Sequence, residues 1–194
     1  MSHLGVEVAP PSVNYSEADF SVGQGEDGLA VRYALGALKG VGEKAMEALV
    51  AERHAKGDFK SLDDFASRID PKMLNRRQIE ALAGAGAFDG IEPNRPKAYG
   101  GAETLLASAS AMARERSTGQ GGLFGGDVDL APVLHLPAAE PWTLAERMTK
   151  EKDAFGFYFS SHPVEQYEAI LAARNARTYG DICENVEMVA GTRV

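Results

Sequence analysis

The 194 residues contain a single cysteine, Cys183, so no internal disulfide can form and a disulfide-stapled secreted scaffold is excluded. With no second thiol and four scattered histidines, the donor set of a structural zinc site is missing as well. No apolar run approaches the roughly 20 residues that a membrane span needs. The opening Met1-Ser2-His3-Leu4-Gly5-Val6-Glu7 has neither the basic nor the apolar region of a secretory signal. These absences point to a cytoplasmic protein with no membrane partner. Surplus positive charge is also lacking: 20 Lys and Arg stand against 28 Asp and Glu, a net charge of −8. That excludes a broad electrostatic footprint on nucleic acid, so any such contact has to be local and directed at the backbone.

The charge is unevenly spread. Between Lys39 and Glu80 nine basic residues face eight acidic ones, whereas residues 1–38 and 81–194 are both acidic. In residues 7–28, Pro10-Pro11 and Gly23-Gln24-Gly25-Glu26-Asp27-Gly28 are turn formers. Alternation in Ala18–Val22 and again in Leu29–Tyr33 predicts a small β-hairpin around them. From Leu35 the period becomes helical through Leu38, Val41, Ala45 and Leu49, interrupted at Gly40 and Gly42, with a helix over Glu43–Lys56. Ser61 with Asp64 three residues on starts a short helix to Arg68, and Leu74–Leu82 is another. Lys97–Arg116 has the composition of one long helix weakened by Gly100-Gly101, and Ser117–Gly126 is a glycine-rich exposed loop. Helices over Thr143–Asp153 and Val164–Ala173 follow, then a strand-like stretch at Val186–Val194. The expected fold is mainly α with a little β.

Two segments carry chemistry. The first, Leu35-Gly36-Ala37-Leu38-Lys39-Gly40-Val41-Gly42-Glu43-Lys44, resembles the helix-hairpin-helix pattern. Gly40 and Gly42 permit positive φ and let backbone lie against a phosphate, and Val41 anchors the turn from inside. The unpaired N–H groups opening the next helix can donate to phosphate oxygens, with Lys39 and Lys44 alongside. The bland alternative is a tight helical hairpin whose glycines serve only geometry. Gly84-Ala85-Gly86, preceded by Arg76-Arg77, is a second and degenerate candidate, with Ala85 where a large anchor belongs. The second segment, Gln120-Gly121-Gly122-Leu123-Phe124, has the form Gln-x-x-Leu-Phe in an exposed loop. Leu123 and Phe124 are apolar anchors for a groove and Gln120 a polar contact; the alternative is a loop hydrophobe folded back on its own domain.

In order along the chain, Pro10–Asn14, Tyr33–Gly42, Leu74–Arg77, Gly86–Asp89, Gly119–Gly125 and Glu151–Pro163 resemble the bacterial replicative DNA polymerase III alpha subunits. The resemblance implies a division into the end of a fingers domain (1–34), a tandem helix-hairpin-helix region (35–116), an exposed linker bearing a clamp-binding peptide (117–141), a helical segment (142–180) and the truncated start of an OB domain (181–194). It implies that this piece binds duplex or primer-template DNA and the β sliding clamp, with other polymerase III holoenzyme subunits met through missing regions. The alternatives are a stand-alone helix-hairpin-helix module of a repair protein and an adaptor that binds no DNA. It further implies that the catalytic aspartates and their two magnesium ions lie in a palm domain upstream, leaving no catalytic residue, metal or cofactor here. Asp63-Asp64 is expected to cap a helix, His162 to be structural, and Trp142 and the 155–159 aromatics to be core. The Gly-Gly at the variable positions of the peptide adds disorder.

Overall fold

The computed structural model describes residues 7–25, 28–118, 134–160 and 167–174. Strands β1 (Val8–Ala9), β2 (Ser21–Gln24) and β3 (Leu29–Arg32) form a small sheet in the order β1-β3-β2. The predicted hairpin is the antiparallel β2–β3 pair, with Val22 opposite Val31. The parallel partner β1 was not legible, because two residues are too few to show a period.

The remaining described elements are helices: α1 (Glu43–Lys56), α2 (Leu62–Arg68), α3 (Arg76–Gly84), α4 (Arg95–Gly100), α5 (Ala102–Thr118), α6 (Leu144–Phe155) and α7 (Glu168–Ala173). Local chemistry starts them where it should. The Ser61 hydroxyl accepts from the Asp64 amide at 3.1 Å, and reciprocal capping boxes join Asn75 to Gln78 and Thr143 to Glu146. Asp64 in turn accepts from the Lys60 amide at 3.0 Å, the helix-end role expected of it.

Three expectations change. The helical period holds in α1 but not before it: between Leu35 and Gly42, Leu38 donates to the Leu35 carbonyl and Val41 to the Leu38 carbonyl, two successive tight turns. Tertiary bonds hold that segment open, since the Leu35 and Gly36 amides donate to the carbonyls of Glu17 and Ala18 at 3.0 and 2.9 Å. The long helix over 97–116 is two, α4 and α5. A Cβ on Gly101 would stand 2.8 Å from the Lys97 carbonyl oxygen and 2.6 Å from Leu136 Cδ2, so the break admits Leu136. Gly84 closes α3 rather than following it. The strand expected near the C-terminus and His162 lie outside the described residues.

One apolar core joins these parts. Phe59, Phe65 and Phe88 are fully buried and meet edge to face at 5.2 and 5.0 Å, tying the α1–α2 connection to the turn after α3. A second aromatic group docks the end of α6 on the end of β3: Phe155 stacks on Phe159 at 4.6 Å and meets the Tyr33 edge at 4.9 Å. The expected core role of the 155–159 aromatics thus holds for Phe155, while Phe157 stays half exposed. Trp142 packs edge to face on Tyr99 at 5.4 Å.

Candidate nucleic-acid interface

The Gly40-Val41-Gly42 turn sits between the sheet and α1. Val41 is wholly buried, as the anchor reading requires, while Gly40 and Gly42 are exposed at φ 74° and 82°. Nothing stands within 4 Å of a Cβ built on Gly40, so the left-handed backbone, not crowding, demands glycine there. α1 has no side-chain cap. Among the described residues the amides of Gly40, Gly42, Glu43 and Lys44 find no acceptor. An exposed helix start with unpaired N–H groups attracts anions.

The turn is held on two sides. The Lys39 amide donates to the Ala154 carbonyl of α6 at 2.8 Å, and the Lys39 side chain passes close over Gly156, whose φ of 89° ends α6. On the other side the buried Gln78 side chain of α3 donates to the Val41 carbonyl. An open groove of about 650 Å³ follows, walled by Lys39 and Gly40, by Asn75 and Arg77 at the start of α3, and by Lys150 on α6. Glu80 and Asp153 also line it, but Glu80 is already paired with Arg76 at 2.6 Å. Arg77 is exposed and forms no ion pair among the described residues. Lys150 donates to the Tyr99 hydroxyl at 3.1 Å and lies over its ring.

The other candidates fall elsewhere. Lys44 is exposed on α1 away from the groove walls. Arg76 is clamped between Glu80 and Glu103, each at 2.6 Å, and these hydrogen bonds, Glu80 first, hold its guanidinium even more firmly protonated than usual. It bridges α3 to α5 at the surface. The second turn is turned inward: Gly84, Ala85 and Gly86 are all buried. The Ala85, Gly86 and Ala87 amides donate to the carbonyls of Ala81, Ala83 and Leu82. The Lys150 backbone of α6 lies on Gly84 and the Arg95 guanidinium fills the space over Gly86. Its small residues let α6 approach closely, which is why the turn presents no backbone to a phosphate. Gln120, Leu123 and Phe124 lie outside the described residues.

Three contributors escaped the sequence reading. Gln78 and Lys150 were passed over, although Asn75-x-x-Gln78 is a visible capping-box spacing. Glu151, 2% exposed, accepts from Arg95 and Arg147 and from the Ser160 hydroxyl at 2.6 Å, locking α6 against the start of α4. Burial raises its pKa, but the Ser160 hydroxyl and amide and the two arginines outweigh that and hold it below the usual carboxylate range. No group of three or more His, Cys, Asp or Glu that could hold a metal ion occurs among the described residues.

A helix-hairpin-helix motif matches residues 5–98, the stretch that holds the glycine turn and α1 to α3. The DNA polymerase III subunit alpha of Caulobacter vibrioides is 44% identical over 171 residues, covering 88% of this chain and 14% of that protein. The subunit alpha of Neisseria meningitidis serogroup B is 40% identical over 163 residues, covering 84% and 14%. That of Haemophilus influenzae is 35% identical over 195 residues, covering 97% and 16%. This chain is thus a homologue of one segment of the bacterial DNA polymerase III alpha subunits. It spans about a seventh of the length of these relatives. No described helix is long and apolar enough to cross a membrane.

Proposed function

We propose that this chain is a non-catalytic segment of a replicative, cytoplasmic DNA polymerase III alpha subunit that grips duplex or primer-template DNA and tethers it to the β sliding clamp. One observation carries the DNA half. The unpaired amides of Gly40, Gly42, Glu43 and Lys44 run from the edge of a groove lined by Lys39, Gly40, Arg77 and Lys150 into the start of α1. Phosphate oxygens accept from such amides at a helix start, and the flanking cations release counterions on binding. The grip lies in the 35–116 helix-hairpin-helix region, preceded by the end of the fingers in 1–34. Gln120, Leu123 and Phe124 in the 117–141 linker form the clamp peptide, and 142–180 and 181–194 are a helical segment and the start of an OB domain. Polymerisation, with its two magnesium ions and the other holoenzyme subunits, belongs to regions outside this chain.

The DNA reading is tested by fluorescence anisotropy with primed duplex at low salt. The double variant Lys39→Glu, Gly40→Val should lose about tenfold or more in affinity, since it reverses one charge and puts a β-branched residue at φ 74°. Duplex binding equal to the parent chain would remove the hairpin from the interface.

A further inference from the structure

We infer that Gln78 is the positioning residue of the DNA grip: one buried amide side chain joins the start of α3 to the Gly40–Gly42 turn and sets the direction of its free amides. The inference rests on the DNA reading above. Gln78 is 8% exposed, and both ends of its amide are committed. Its Oε1 accepts from the Asn75 amide at 2.7 Å, closing the capping box of α3. Its Nε2 donates to the Val41 carbonyl. The two bonds fix each other: an N–H on one side and a carbonyl on the other admit only one orientation of the side-chain amide. Without Gln78 the carbonyl of Val41, a wholly buried residue, would be a polar atom near the core without this partner.

The consequence is mechanical. Val41 is the peptide between the two positive-φ glycines, so holding its carbonyl inward turns the amide of Gly42 and the start of α1 outward. A Cβ on Gly42 would come 3.3 Å from Gln78 Nε2, so the side chain lies directly against the turn. The same residue places Asn75 and Arg77 on the opposite wall of the groove. The distance between the turn and the α3 wall is therefore set through this amide, while the Lys39–Ala154 bond holds the turn to α6. A carboxylate cannot replace it, because its second oxygen would face the Val41 carbonyl.

The test uses the 194-residue chain and three substitutions. Gln78→Met is unbranched and neutral and removes both bonds. Gln78→Asn keeps an amide one methylene too short to span the gap, and serves as a second variant if Gln78→Met loses its helical circular dichroism. Ser61→Ala weakens a helix cap on α2, where the hydroxyl accepts from the Asp64 amide, and touches neither Gln78 nor the groove lining. Gln78→Met and Gln78→Asn should bind primed duplex about tenfold more weakly, with the salt dependence of Kd shallower by about one phosphate contact. Their amide hydrogen exchange at residues 40–44 should be altered, while Ser61→Ala binds within about twofold of the parent. A merely structural role would weaken binding in Ser61→Ala as much as in the Gln78 variants and leave the salt slope unchanged. Equal duplex affinity and slope in parent and Gln78 variants would overturn the role of Gln78 alone. No duplex binding by the parent would instead overturn the DNA reading itself.

Discussion

At the scale of single residues, buried polar side chains do more to organise this chain than its charge suggests. Arg53, 5% exposed, donates to the carbonyls of Val13 and Ser16 and to Glu17, fastening the loop before β2 to α1. Glu151 does the same for α6. Its carboxyl is held below the ordinary range in the fold, so its stabilising effect is complete above the unfolded carboxylate pKa. The effect is lost as pH falls through the lower, folded value. Glu151→Ala should cost about 3 kcal/mol at neutral pH, because it strands the Arg95 guanidinium with Asp89 alone. It should also flatten the acid limb of the stability curve. Urea melts of parent and variant between neutral and acid pH check both, and parallel curves would refute the assignment.

At the scale of elements, helix starts followed local chemistry and helix breaks did not. Ser61 was recognisable as a cap from its spacing to Asp64, and α1 matched its expected bounds from the glycines on either side. The failures share one cause. The Leu35 segment has a helical period but is pulled into turns by bonds to Glu17 and Ala18, and the α4–α5 break is shaped by Leu136, distant in sequence. Packing among elements rests on the Phe59–Phe65–Phe88 column. Phe65→Ala should destabilise by about 3–5 kcal/mol, through lost transfer energy and the cavity left in a fully buried site. Denaturant titration measures it; a loss under 1 kcal/mol would mean the column is not the core's centre.

At the scale of the whole molecule, an acidic chain presents a small, locally cationic groove. Under the proposed function, acidity elsewhere limits the phosphates engaged and keeps affinity for DNA alone modest, and tethering to a clamp would offset that by raising effective concentration. The ends flanking the segment proposed as tether are attached to the body: α5 packs on α2, and the Leu134 amide donates to Asp63 of α2 at 2.6 Å. Leu123→Ala with Phe124→Ala should abolish capture by β clamp in a pull-down or titration, with duplex affinity unchanged. Clamp binding that survives the double variant would remove the peptide from the proposal.

Sequence by itself determined the starts of α1, α2 and α6, a β-hairpin whose first strand lies a few residues later than its pattern, the anchor Val41 between two positive-φ glycines and the kinship with polymerase III alpha subunits. Each depends on residue type at short spacing, or on identities along the whole chain. Only the tertiary structure decided which glycine turn faces outward. Gly40-Val41-Gly42 and Gly84-Ala85-Gly86 read alike, yet α6 and Arg95 cover the second, while the first is braced from behind by Gln78 and Ala154 with its amides left open. It likewise paired Arg76 with Glu80 and with Glu103 of α5 and set Arg77 on the groove wall. Neighbours in sequence differ here because accessibility and pairing are set by elements far apart along the chain.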